Sequence, residues 1–255
     1  MSPNFESDDR LLTSRVNDAK RIARDKYVHK FIGFLDERSA ALCLQALGKH
    51  SGVAYTFFGG YDDAQRVMLG IFPDEEAMSR MSSAWPITAL TLRFREVTRL
   101  THRDVLGSLM SLGITRESVG DILIDEGRAV IFVTDSVAEF VRSQLSKVGG
   151  EGVKVEEGFS QPLPAAYRLL PVTETVASMR LDGVVAALCG TSRTRASEWI
   201  QGGLVAVNGI ECDRVSATLR DGDKLSVRGI GKFRIDNCED TTRKGRIVLK
   251  AQKYI

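Results

Sequence analysis

Between residues 86 and 157 the hydrophobic pattern switches repeatedly between strand and helix periodicity, and this order restricts the fold more than any other feature of the chain. "PITALTLRFREV" alternates as a strand, and "THRDVLGSLMSLG" has helical spacing with Thr101 placed as its N-cap. "VGDILIDEG" and "RAVIFVTD" form two strands around an Asp-Glu-Gly turn, "SVAEFVRSQLSKVGG" a second helix with Ser136 near its cap, and "GVKVEE" a last strand. Strand–helix–strand–strand–helix–strand is the order of a ferredoxin-like sheet with two helices on one face, which many RNA-recognition modules share. Topology alone assigns no function. The strands offer Phe94 and Phe132 but not the paired exposed aromatics on which such modules stack bases.

Upstream, residues 5–50 read as helical. "DRLLTSRVNDAKRIARDKYVHKFIGFL" spaces Leu11, Leu12, Val16, Ala19, Ile22 and Ala23 along one face, and "DERSAALCLQALGKH" starts a second helix that ends near Gly48. "VAYTFFGGYDDAQRVMLGIFP" is a strand pair around an irregular turn, with Phe58 and Tyr61 expected to anchor a core. Pro73 and "DEEAMSRMSS" make a short helix that leaves the unit. Downstream, "GFSQPLPAAYRLLP" carries three prolines and reads as an extended linker. The expectation is an α+β chain of three small domains. These are an N-terminal α/β domain (1–84), a ferredoxin-like, RRM-like domain (85–157) and, after a linker (158–171), a C-terminal domain with a basic tail (172–255), a division that 255 residues accommodate.

The third unit holds the chain's charge asymmetry. Residues 179–255 contain 14 Lys and Arg against 9 Asp and Glu, whereas the rest holds 21 against 24. A basic end on a near-neutral body suits a polyanion partner. Within it, a helix carrying Leu181, Val184, Val185 and Leu188 ends at Gly190, and Thr191 or Ser192 caps a second helix bearing Ala196, Trp199 and Ile200. Gly202-Gly203 stops that helix, and "LVAVNG" follows as a strand with an Asn-Gly turn. Arg193 and Arg195 stand in the first turn of the second helix, where the macrodipole opposes cations by roughly 0.3–1 kcal/mol each. Two readings follow. Either the arginines join the unsatisfied N–H groups and Ser192 in a trap for phosphate, or they turn to acidic partners such as Glu198.

The ordered set Arg180, Leu181, Asp182, Ser192, Arg193, Ala196, Gly203, Val205, Val207, Asn208, Gly209, Gly222 and Asp223 resembles the S-four RNA-binding domain over residues 178–235. Together with "FFGGYDDAQRVMLGIFP", "HRDVLGSLMSLGITRESVGDILI", "LSVRGIGKFRI" and the tail "TRKGRIVLKAQKY", the chain resembles the bacterial YlmH family over nearly its whole length. The resemblance implies an N-terminal domain, an RRM-like domain and an S-four domain. It also implies a factor of ribosome-associated quality control that binds rRNA of the large subunit and peptidyl-tRNA after a stalled ribosome splits, beside other quality-control factors. Carried over, the RNA contacts are Arg180, Ser192, Arg193 and Arg195, with Lys224, Arg228, Lys232 and Arg234 as a second group. Asn208 and Gly209 are turn formers first, and Asp182 is a cap or an internal partner of an arginine.

Other classes find less in the sequence. "HRD" at 102–104 lacks the asparagine of a kinase loop, since Leu109 stands there, and there is no phosphate loop, metal-ligand cluster or nucleophile signature, so no cofactor and no catalytic set are expected. Arg103 and Arg116 are read either as a further contact or as residues facing water. The four cysteines (Cys43, Cys189, Cys212, Cys238) are far apart and read as reduced thiols. The polar N-terminus and the absence of an apolar run near the roughly 20 residues of a membrane span point to a cytoplasmic protein without membrane insertion. The rival readings are an RNA-modifying enzyme using Asp104 or Asp121, and an adaptor at division sites or photosynthetic membranes.

Overall fold

Helix α1 (Pro3–Lys26) ends at Tyr27, whose φ of 54° breaks the helical path, and the next residues, Lys30–Leu35, form strand β1. This corrects the continuous helical reading through Leu35. "KFIGFL" is apolar enough to suit either period, and pairing decides it, because β1 finds an antiparallel partner in β3. Helix α2 (Glu37–Leu47) is capped by Asp36, which accepts from the Ser39 N–H at 2.8 Å. Strands β2 (Ala54–Phe58) and β3 (Val67–Phe72) pair as expected, giving the order β1-β3-β2, and α3 (Glu75–Arg80) follows.

The computed structural model describes residues 3–48, 51–81, 84–237, 240–243 and 245–255. Cys238 and Lys244, the latter within the basic tail, lie outside the described residues. The other three cysteines are free thiols, and burial pushes Cys43 up to about 11.

The chain divides into two compact units, Met1–Ala166 and Tyr167–Ile255, so the boundary expected near residue 84 falls inside the first. Its second sheet is built from β4 (Ile87–Arg93), α4 (His102–Ser111), β5 (Val119–Asp125), β6 (Arg128–Thr134) and α5 (Asp135–Gln144). A two-residue hairpin, β7 (Lys147–Val148) with β8 (Glu151–Gly152), and then β9 (Lys154–Glu157) complete it. Thr101 and Asp104 cap α4 reciprocally, as a capping box. Helix α5 stops before "KVGG", because Gly149 and Gly150, both at positive φ, turn a hairpin there. The strand order β5-β6-β4-β9 is antiparallel throughout, the arrangement that the sequence pattern led us to expect.

One face of this sheet packs under α4 and α5 through Leu90, Leu92, Ile122, Ile131 and Val141. Its other face is covered as well. Leu123, Val130 and Phe132 pack against Phe34 and Met68 of the first sheet. Gly120 is needed at this contact, where a Cβ would lie 2.6 Å from the Phe34 ring. Tyr61 stacks on Phe132 with ring centroids 4.9 Å apart, and its hydroxyl donates to the buried Asp121 at 2.7 Å. Asp121 also accepts from the backbone N–H groups of Gln65 and Arg66. An RRM-like module stacks bases on the face opposite its helices; here that face belongs to the core.

The second unit is a six-stranded sheet under two helices. Strand β10 (Leu169–Val176) precedes α6 (Leu181–Leu188) and α7 (Arg193–Gln201). Then follow β11 (Val205–Val207), β12 (Ile210–Glu211), β13 (Lys224–Val227), β14 (Gly231–Asn237) and β15 (Ile247–Tyr254), in the order β10-β15-β14-β13-β11-β12. Two expectations change here. The last residues of the linker enter β10, and most of the basic tail is β15, paired with β10 along its whole length and with β14 from Lys250 to Lys253. The Asn-Gly turn is as expected: Asn208 and Gly209 take φ of 51° and 78° between β11 and β12.

Candidate nucleic-acid interface

Helices α6 and α7 bury Leu181, Val184, Val185, Ala196 and Ile200 against Leu225, Val227, Phe233 and Ile235 of the sheet. Two local devices set their geometry. Gly190, at φ 60°, ends α6, and the Thr191 N–H returns to the Ala186 carbonyl. Ser192 then caps α7 by accepting from the Arg195 N–H at 3.2 Å. The first turn of α7 is thereby carried back beside the first turn of α6.

That return settles the misplaced cations. Asp182, with its side chain 6% exposed, accepts from Arg180 Nε and Nη2 at 3.2 and 3.3 Å, from Arg193 Nη2, and from the Gly183 N–H at 2.9 Å. Burial opposes ionisation of Asp182, but the hydrogen bonds from Arg180, Arg193 and Gly183 outweigh it and hold the carboxyl below the ordinary Asp range. The partner of Arg193 is therefore Asp182, on the other helix, and Asp182 serves as the internal partner of two arginines. The two guanidinium side chains remain 45% and 59% exposed while the carboxylate between them is sealed. Beside them Arg195 is exposed, its Cζ 5.6 Å from the Trp199 ring centroid, a cation–π contact. Three arginines and one sealed carboxylate leave an outward charge of about +2 at a helix N-terminus, a geometry suited to phosphate oxygens.

The second group of predicted contacts does not share this face. In β13 and β14, Leu225, Val227, Phe233 and Ile235 point to the helices. Side chains alternate along a strand, so Lys224, Lys232 and Arg234 project from the opposite side of the sheet. Arg228 is exposed just beyond β13. Asn208, besides forming its turn, donates to Asp223 and accepts from the Lys224 N–H, both at 2.8 Å, which pins the β11–β12 hairpin to β13.

In the first unit, Arg116 gives Nη1 to the carbonyls of Val119 and Gly120, at 2.7 and 3.3 Å. Burial, with the Arg66 charge nearby, lowers it to about 10. Arg66 itself donates to the carbonyls of Val119, Phe34 and Arg116. Both residues satisfy backbone carbonyls where the two sheets meet, work that sequence spacing did not reveal. Arg103 is exposed on α4.

Residues 84–161 match a family model described as "Putative RNA-binding domain in YlmH", and residues 179–225 match the S4 domain. "Ribosome-associated protein quality control protein P2" of Bacillus subtilis (strain 168) is 32% identical over 254 residues, spanning 98% of both chains. A solved structure, "Cell division protein ylmH from Streptococcus pneumoniae", is 25% identical with a TM-score of 0.48, covering 60% of this chain and 92% of that one.

Proposed function

This chain belongs to the YlmH family, and on that premise we propose that it is a non-enzymatic, ribosome-associated RNA-binding factor acting in the rescue of stalled translation. The observation that carries the proposal is the whole-chain likeness to a ribosome-associated quality control protein. The arginine cluster on the α6–α7 pair supplies the chemistry such a role needs. Arg180 and Arg193, locked by Asp182, present preorganised guanidinium forks to the backbone of structured RNA, with Arg195 and Ser192 beside them. Recognition of this kind reads backbone shape more than base identity, because the deep groove of duplex RNA is closed to side chains. We assign the target as rRNA of the large subunit together with peptidyl-tRNA, placing the protein in the cytoplasm with other quality-control factors. Among the described residues no helix is long and apolar enough to cross a membrane.

The alternative of an RNA-modifying enzyme would draw on Asp104 or Asp121. The first closes the capping box of α4, and the second is consumed by Tyr61 and two backbone N–H groups. Co-sedimentation of the full chain with large ribosomal subunits tests the proposal. Arg193→Gln with Arg195→Gln should abolish pelleting at physiological salt, and unchanged pelleting would remove this helix pair from the interface.

A further inference from the structure

We propose that the face of the C-terminal sheet opposite α6 and α7 is a second RNA-binding surface that takes an unpaired segment, with one base stacked on Tyr254. The inference deepens the RNA-binding reading above and concerns strands that lie largely outside the two matched regions, residues 84–161 and 179–225.

Cross-strand register places the surface. Lys224 pairs with Arg234, and Ser226 with Lys232, across β13 and β14. Arg234 in turn faces Gln252 across β14 and β15, and Leu169 faces Tyr254 across β10 and β15. Since Phe233 pairs with Lys253, Lys232 and Tyr254 are neighbours on the outer face. The Lys232 ammonium sits 5.3 Å from the Tyr254 ring centroid, and the Tyr167 ring lies 4.7 Å from that of Tyr254. Arg234, on the same face two residues along β14 from Lys232, turns Nε to Asp236 at 3.0 Å. Lys224, Lys232 and Arg234 against Asp236 leave this face basic.

Two tyrosines, with Lys232 and Arg234 on the neighbouring strand and Lys224 one strand further, combine aromatic stacking with backbone electrostatics, the requirements of single-strand binding. A duplex cannot use such a platform, since its bases already stack on one another and expose no π-face. An exposed cation–π contact is weaker than a base–aromatic stack. An incoming base therefore displaces the Lys232 ammonium from the ring and leaves it in place to meet the adjoining phosphate. The helix face, with guanidinium forks and a single Trp199 already under Arg195, is built for a structured backbone; the sheet face is built for splayed bases.

The test uses the full chain and two labelled probes read by fluorescence anisotropy: a single-stranded oligouridylate about ten nucleotides long and an RNA duplex of about 16 base pairs. Tyr254→Leu should weaken the single strand about tenfold, within the range for one stacked base, and leave the duplex unchanged, while Tyr254→Phe keeps both affinities. Arg193→Gln should do the reverse, weakening the duplex alone. Lys232→Gln with Arg234→Gln should weaken the single strand and lower its log–log salt slope by about 1.4, at roughly 0.7 per contact. If Tyr254→Leu lowers thermal stability, this pair of surface substitutions carries the decision. Unchanged single-strand binding, or an equal loss for both probes, overturns the inference. A duplex loss in Arg193→Gln alongside unchanged single-strand binding in the Tyr254 and Lys232/Arg234 variants leaves the helix-pair reading standing. A duplex unaffected by Arg193→Gln defeats that reading instead.

Discussion

Charge reversal should cost stability at Arg193 and none at Arg195, although the helix dipole treats the two positions alike. By the dipole alone, each Arg→Glu change in the first turn of α7 removes an opposed cation and adds a favoured anion, so it should stabilise by roughly 0.6–2 kcal/mol. Arg195 follows that rule: it loses only an exposed contact over Trp199, worth roughly 0.5–1 kcal/mol. Arg195→Glu should therefore be neutral to about 1 kcal/mol more stable than the parent. Arg193 donates to a carboxylate whose side chain is 6% exposed. Hydrogen bonds to charged groups are worth about 1.5–3 kcal/mol, and the solvent around the half-exposed Arg193 trims that to about 1–2. Glutamate there adds repulsion from Asp182 and recovers the dipole gain, so the net loss is about 1–3 kcal/mol. The assay is urea denaturation followed by Trp199 fluorescence in a Trp85→Phe background, which reports the second unit alone. A stabilised Arg193→Glu, or equal shifts for both variants, would refute the linkage of α6 to α7 through Asp182.

Other consequences are as direct. Because Asp182 titrates below its unfolded value, its contribution to stability is present above about pH 4 and is lost as pH falls through the lowered folded value; urea midpoints between pH 6 and pH 3 should show this acid loss in the parent and not in Asp182→Asn. Asp121→Ala strands three donors inside the first unit and should destabilise it by about 2–4 kcal/mol while duplex affinity holds; circular dichroism and anisotropy together check both halves. Duplex binding should weaken with salt at a log–log slope near −2 to −3, and replacing any one of Arg180, Arg193 or Arg195 by Gln should reduce the slope by about 0.7–0.9.

Local chemistry was the legible part of this sequence. Thr101 and Ser192 as caps, Gly190 as a helix stop, Asn208-Gly209 as a turn and the alternation of β4, β5 and β6 all stand where spacing put them. What spacing missed depends on contacts distant in the chain. "KFIGFL" became a strand because β3 offered a free edge, and "RIVLKAQKY" entered the sheet because β10 and β14 left a slot between them. Tyr61 was legible as a core anchor, but its partners Phe132 and Asp121 were not. In the site, Glu198 was the nearer candidate for Arg193 by sequence, yet the turn at Gly190 brings Asp182 to it. The predicted contacts formed two groups by sequence, and strand alternation puts Lys224, Lys232 and Arg234 of the second on the sheet face opposite the helices, a placement visible once Leu225 and Phe233 are recognised as core.

Crosslink mapping in cells tests whether the second unit holds the protein on ribosomal RNA, as proposed. Ultraviolet crosslinking of the full chain, with identification of both the RNA sites and the crosslinked peptides, should place residues 178–209 on large-subunit rRNA near its tRNA-binding face. Crosslinks scattered over messenger RNA, or confined to the first unit, would contradict it.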